Sequence, residues 1–172
     1  DTSEDVRRAA ARALAEIGTT AVLELRDALE DGNLLVRSGA AEALGDIGQP
    51  VANSAIPELR MALHDRIWRV RLAAIGALNK IGPPIANYAV HEVTLALGDN
   101  FQGIRATAAE LLSKMGTSAV PELQQAWQNS RLRDEAAALL TGLGPRRGDP
   151  ADSGEASRLW PRRSGPPAVF QP

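Results

Sequence analysis

Two histidines are the residues whose types could ligate a metal ion. His91 precedes Glu92, and imidazole with carboxylate is a donor set that transition metals accept. His64 is not followed by Glu and falls at the end of a predicted helix. The chain has no cysteine, so two histidines, only one of them in a His–Glu pair, are too few donors for a metal site. We expect no metal and no cofactor.

Catalysis by a side-chain nucleophile is not indicated either. Serines and threonines are scattered, and no histidine stands where it would activate one of them. Adjacent carboxylates, such as Asp134 and Glu135, point apart on a helix and form no acid–base pair. The glycines fit helix ends better than a phosphate loop. We therefore predict that the protein is not an enzyme.

A column of arginines is the remaining feature that could bind a ligand, in this case phosphate. The formal net charge of the chain is −2, which leaves no basic surplus to neutralise a nucleic acid. Helical-wheel geometry places Arg71 on the flank of its helix, toward a neighbouring unit. We expect these arginines to form structural ion pairs, with no nucleic-acid partner. No membrane association is expected, because no apolar run approaches ~20 residues.

The arginines recur at a regular period. Each follows an apolar residue, and eleven residues after that residue comes Ile, Met or Leu followed by Gly. The pairs are Val6-Arg7, Val36-Arg37, Val70-Arg71, Ile104-Arg105 and Leu132-Arg133, with steps of 30, 34, 34 and 28 residues from arginine to arginine. Self-similarity at this period is typical of a solenoid.

Each unit is predicted to be a helical hairpin. In helix B, apolar residues fall at offsets 0, 4, 7, 8 and 11 and share one face, as in Val70, Ala74, Ala77, Leu78 and Ile81. A shorter apolar pattern between B helices predicts helix A. Helices of roughly 12–15 residues are marginal alone, so stacking must bury their faces. We predict an all-α solenoid with five B helices, the first at 3–17, four A helices and no strand.

The pattern divides the chain in two. Residues 1–144 form the repeat array, whose first unit lacks its A helix, so further repeats N-terminal to Asp1 are expected. Residues 145–172 hold six prolines and five arginines without periodicity, which favours a disordered tail. Alternatively, Trp160 and Phe170 fold back to cap the last repeat, because a terminal repeat usually needs a polar cover.

The five copies resemble the HEAT repeat, and more narrowly the short bacterial variant of phycobilisome lyases. The resemblance implies a right-handed α-solenoid that acts as a protein-binding scaffold, or alternatively a bilin lyase or chromophore chaperone. Deoxyhypusine hydroxylase, a HEAT-like enzyme, binds metal through several His–Glu pairs, of which only His91-Glu92 is present here. The resemblance also implies a ladder of ion pairs between units, carried by Asp31 and Arg37, Asp65 and Arg71, and Asp99 and Arg105. In the last unit Asn129 stands near the Asp position, so the corresponding ion pair, or rung of the ladder, is in doubt there.

The outward face of helix B is the predicted partner-binding surface. In unit three this face is unusually apolar, and an exposed aromatic residue with an aliphatic neighbour is a typical interface anchor. The alternative is that Trp68 tilts from the helix start and packs on the neighbouring loop. The hypothesis places a partner protein on Trp68, Leu72, Leu34 and Ile75, with Glu42 and Glu110 as polar rim.

Overall fold

The computed structural model describes residues 18–83, 85–128 and 131–143, and this part of the chain contains helices and no strand. The predicted first B helix at 3–17 and the tail at 145–172 lie outside these ranges. Four A helices alternate with four B helices, in the order α1 (18–28), α2 (Leu34–Ile47), α3 (Ile56–Ala62), α4 (Trp68–Ile81), α5 (Val90–Leu95), α6 (Gln102–Met115), α7 (Val120–Gln128) and α8 (Arg133–Leu143).

The inner B helices begin and end where the repeat pattern predicts. Helices α2, α4 and α6 are each 14 residues long. Each ends at a glycine with positive φ, namely Gly48, Gly82 and Gly116, a conformation in which a side chain would be strained. At their starts, the carboxylates of Asp65 and Asp99 accept hydrogen bonds from main-chain N–H groups two residues on. The repeated Asp and Gly thus set the limits of helix B.

The A helices differ from the prediction at their starts. A 3₁₀ turn precedes three of them, at Val51–Ala55, Ile85–Ala89 and Gly116–Ala119, so the α-helical parts are only 7, 6 and 9 residues long. Pro57 lies in the first turn of α3, where its missing N–H would have had no helical partner. A 3₁₀ helix has 3.0 residues per turn and an α-helix has 3.6. Over a segment of five residues, the apolar pattern of the sequence cannot distinguish the two.

Neighbouring B helices pack closely because small residues lie between them. A Cβ added at Gly45 of α2 would come within 2.8 Å of the Ala77 Cα of α4. Ala41 of α2 and Ile75 of α4 are fully buried. The prediction that Ile75 lies on an outward, partner-binding face is therefore wrong. A helix inside a stack is covered on its flanks as well as on the face toward helix A.

The apolar residue before the repeat arginine is not buried in every unit. Val70 of α4 and Ile104 of α6 are buried, whereas Val36 of α2 is 40% exposed. These observations confirm the predicted all-α solenoid of stacked helical hairpins. No helix in the described ranges combines the length and the apolar character needed to cross a bilayer.

Candidate functional site

Two arginines of the B helices hold aspartates in the loop of the next unit. Arg37 Nε donates to Asp65 Oδ2 at 2.7 Å, and its Nη2 donates to Oδ1 at 3.2 Å. Arg71 repeats this arrangement with Asp99, at 2.7 and 3.0 Å. Such two-point contacts between guanidinium and carboxylate are the strongest type of ion pair, and they set the position of one unit relative to the next.

The aspartate of the same unit contacts the arginine through its main-chain oxygen, not through its carboxylate. Arg37 Nη1 donates to the main-chain oxygen of Asp31 at 2.8 Å, and Arg71 Nη1 donates to that of Asp65 at 2.8 Å. Arg105 Nη1 likewise donates to the main-chain oxygen of Asp99. The predicted same-unit contacts are therefore hydrogen bonds to a main-chain carbonyl oxygen and not ion pairs. This holds for Asp31 with Arg37, Asp65 with Arg71 and Asp99 with Arg105. The carboxylate partners of Arg37 and Arg71 come from the following unit.

The ion pairs control the protonation of the loop aspartates. Burial alone would raise the pKa of Asp65, but hydrogen bonds from the Arg37 guanidinium and the Ile67 N–H hold the pKa below its usual value. The pKa of Asp99 is lowered in the same way, against the effect of burial, by Arg71 and the Phe101 N–H. Both aspartates are thus held in the charged form that the arginines bind.

A second row of pairs joins the A helices. Arg26 of α1 pairs with Glu58 of α3, and Arg60 of α3 pairs with Glu92 of α5. His91 contacts Glu122 of α7 rather than acting with Glu92. No group of three His, Asp or Glu side chains in the described ranges converges on a point that could hold a metal ion. The glutamates repeat visibly in the sequence; their basic partners were missed, although Arg26 and Arg60 are 34 residues apart.

A groove between α2 and α4 is the candidate partner-binding site. It has a volume of about 450 Å³, and its α4 side carries Trp68, Leu72 and Gly76 while α2 contributes Glu42. Trp68 is 43% exposed and Leu72 is half-buried. A Cβ added at Gly76 would meet nothing within 4 Å, so this glycine widens the groove without being required by packing.

Trp68 does not stand alone at the groove. Its indole stacks on the ring of Phe101, which precedes α6, with ring centroids 4.3 Å apart and an interplanar angle of 25°. Phe101 is itself 37% exposed. A Cβ at Gly103 would lie 2.8 Å from the Phe101 ring, so a side chain at this position would force the ring to shift. The indole therefore packs on the neighbouring loop, as one interpretation of the sequence predicts, and it keeps the exposure that the partner-binding hypothesis requires.

The hypothetical patch is only partly assembled. Trp68, Leu72 and Glu42 line one groove, but Leu34 is half-buried against the core and Glu110 pairs with Lys114 away from the groove. The sequence reading also missed two cations. The Arg69 guanidinium lies 5.8 Å from the centre of the Trp68 ring, and Lys80 at the groove pairs with Asp46 of α2.

A family model described as HEAT repeats matches residues 1–65. This match covers the first two B helices of the sequence pattern, the A helix between them and the following A helix, α3. Together with the stacked helical hairpins of the described chain, the match supports the predicted resemblance to the HEAT-repeat family. No curated protein matches the chain.

Proposed function

We propose that this array of HEAT-like repeats is a non-catalytic scaffold that binds another protein, and that the groove between α2 and α4 holds a segment of the partner. HEAT repeats generally mediate interactions between proteins. One observation carries the proposal: an exposed Trp68, stacked on Phe101, stands beside an apolar groove. Large aromatic side chains next to a pocket are the residues that contribute most to interface affinity.

The stacked ring pair is suited to binding because it is already ordered. Contact with Phe101 restricts the Trp68 side chain before a partner arrives, so less conformational entropy is lost on binding. Leu72 and Gly76 supply the apolar floor. Charged groups from Glu42, Arg69 and Lys80 border this floor, which matches the usual arrangement of an apolar centre with a polar rim.

The narrower resemblance to phycobilisome lyases provides the competing proposal. A bilin would need an apolar cleft with cations for its propionates, and the groove contains Trp68 and Leu72 beside Arg69 and Lys80. We favour a peptide, because the groove follows α4 from Trp68 to Lys80 and Lys80 is already paired with Asp46. Mixing the protein with a bilin tests the alternative, since a shift of the bilin absorbance band would support it.

The peptide proposal can be tested without knowing the partner. Peptides selected from a random display library on the immobilised full chain are measured by calorimetry against wild type and Trp68→Ala. We expect Trp68→Ala to weaken binding about tenfold or more while circular dichroism stays unchanged. Met61→Ala is the matched control, because Met61 is 73% exposed on α3 and lies outside the groove. Equal affinity of wild type and Trp68→Ala would refute the proposal.

A further inference from the structure

Arg105 is the repeat arginine of the fourth unit, and among the described residues its ion pair to the next unit has no acid. Arg37 and Arg71 each use Nε and Nη2 to bind a carboxylate of the next unit. Arg105 makes the same-unit contacts, from Nη1 to the main-chain oxygens of Asp99 and Asn100. In the described part of the chain, no carboxylate pairs with its Nε and Nη2.

The sequence explains why the rung is incomplete. The step from Arg105 to Arg133 is only 28 residues, and the loop before α8 contains no Asp or Glu between Gln128 and Leu132. In the loops before α4 and α6, the corresponding acids are Asp65 and Asp99, which bind Arg37 and Arg71. The fifth unit therefore keeps the helical hairpin but drops the acid that its neighbour's arginine would bind.

A groove opens at this incomplete rung. It lies between α6 and α8, and its volume is about 360 Å³. Arg105 and Glu135 are its charged residues. The other lining residues are mostly small or aliphatic: Leu97, Gln102, Ala106, Ala109, Ala138 and Leu139. A guanidinium with two unused donors thus borders an apolar channel.

We propose that this groove binds an acidic side chain of a partner protein, with an aliphatic residue next to it in the partner sequence. The partner's aspartate would complete the rung, accepting from Arg105 Nε and Nη2 as Asp99 accepts from Arg71. The aliphatic neighbour packs between Ala106 and Leu139. This inference shares with the proposed function the premise that the ligand is a protein, but it concerns a different groove.

The two complete rungs define the chemistry of the ligand. In each of them a side-chain carboxylate, held by a loop rather than a helix, meets the guanidinium edge with both oxygens. An extended peptide can present aspartate in the same way, and it also carries main-chain N–H donors for Glu135 on the α8 side of the groove, which a phosphate group lacks. Glu135 can accept a hydrogen bond from one of these N–H groups.

The test uses isotope-labelled full-length protein and two small probes, N-acetyl-Asp-Leu-amide and N-acetyl-Asn-Leu-amide. Titration is followed by NMR at the arginine Nε–Hε groups. We expect a saturable shift of the Arg105 signal with the Asp probe and at least tenfold weaker binding of the Asn probe, because a charged acceptor strengthens the hydrogen bonds. Arg71 is an internal control, since its donors are already occupied by Asp99.

Variants separate this site from a general effect of charge. Arg105→Lys retains the charge but not the two-point fork of the guanidinium. We expect this variant to bind the Asp probe several-fold more weakly and to keep the wild-type fold. Arg133→Lys, an exposed change on α8 outside the groove, should have no effect. Equal binding of the Asp and Asn probes, no loss in Arg105→Lys, or an equal shift with sodium acetate would each overturn the proposal.

The result is independent of the Trp68 groove. Trp68→Ala should leave binding of N-acetyl-Asp-Leu-amide unchanged, and Arg105→Lys should leave unchanged any library peptide that depends on Trp68. Failure of the Asp probe, with peptide binding at Trp68 intact, would overturn the Arg105 site alone.

Discussion

Arg71 and Asp99 are joined across a unit boundary, with Arg71 Nε 2.7 Å from Asp99 Oδ2 and Nη2 3.0 Å from Oδ1. Their side chains retain only 18% and 10% of their exposure. Asp99 Oδ1 also accepts from the Phe101 N–H at the start of α6. This one carboxylate therefore ties α4 to the next unit and positions Phe101, the ring on which Trp68 stacks.

Replacing Arg71 should destabilise the array. Arg71→Gln leaves the mostly buried Asp99 carboxylate without its guanidinium, and we expect the free energy of unfolding to fall by about 1–3 kcal/mol. Urea denaturation at neutral pH measures the change. Lys80→Gln is the control, since its pair with Asp46 is exposed and exposed pairs contribute little. A similar loss in both variants would show that the ladder does not stabilise the fold.

The stability of the protein should fall in acid through the ladder aspartates. The folded-state pKa values of Asp65, Asp99 and Glu92 are all lowered, so these groups stabilise the folded state above their unfolded pKa values, near 4. As the pH falls below about 4, the folded state must take up protons against the arginines and loses that contribution. Urea titrations between pH 3 and 7 measure this.

Arg71→Gln provides the internal check on this pH dependence. Without the guanidinium, the pKa of Asp99 should rise, and the loss of stability between pH 4 and 3 should become shallower than in wild type. Parallel curves for the two proteins would contradict the assignment of acid sensitivity to this rung.

Gly45 should tolerate no side chain, because it lies against α4. A Cβ there would come within 2.8 Å of the Ala77 Cα, so Gly45→Ala must push α2 and α4 apart. We expect a loss of about 1–3 kcal/mol, typical of overpacking. Gly39→Ala, in the same helix with nothing within 4 Å of its new Cβ, should instead stabilise the protein by up to about 1 kcal/mol. Thermal unfolding of the two variants compares them, and two stabilising substitutions would disprove the close approach.

Gly76 offers a test in which binding and stability change in opposite directions. Gly76→Ala has open space around its Cβ, so it should stabilise α4 by up to about 1 kcal/mol. The same methyl group narrows the groove beside Trp68, so affinity for the selected peptides should fall. Gly39→Ala should give a similar stability gain without loss of affinity. Unchanged affinity in Gly76→Ala would place the peptide outside this groove.

The sequence by itself determined the helices and the arginine column. The limits of α2, α4 and α6 followed from local chemistry, because the glycine after each helix and the aspartate before α4 and α6 act on the main chain within a few residues. The apolar spacing within helix B also determined the class of fold, since only stacking covers so many short amphipathic helices. These signals lie within a single unit, and the sequence shows them directly.

Only the tertiary structure decided which unit each side chain meets. A helical wheel gives one buried face, but a helix inside a stack is also covered on its flanks, and Ile75 is therefore buried. The distance between units likewise places Asp65, rather than the carboxylate of Asp31, at the Arg37 guanidinium. Trp68 and Phe101 belong to different units, and the ring stack at the groove depends on how those units pack, which no spacing within one unit encodes.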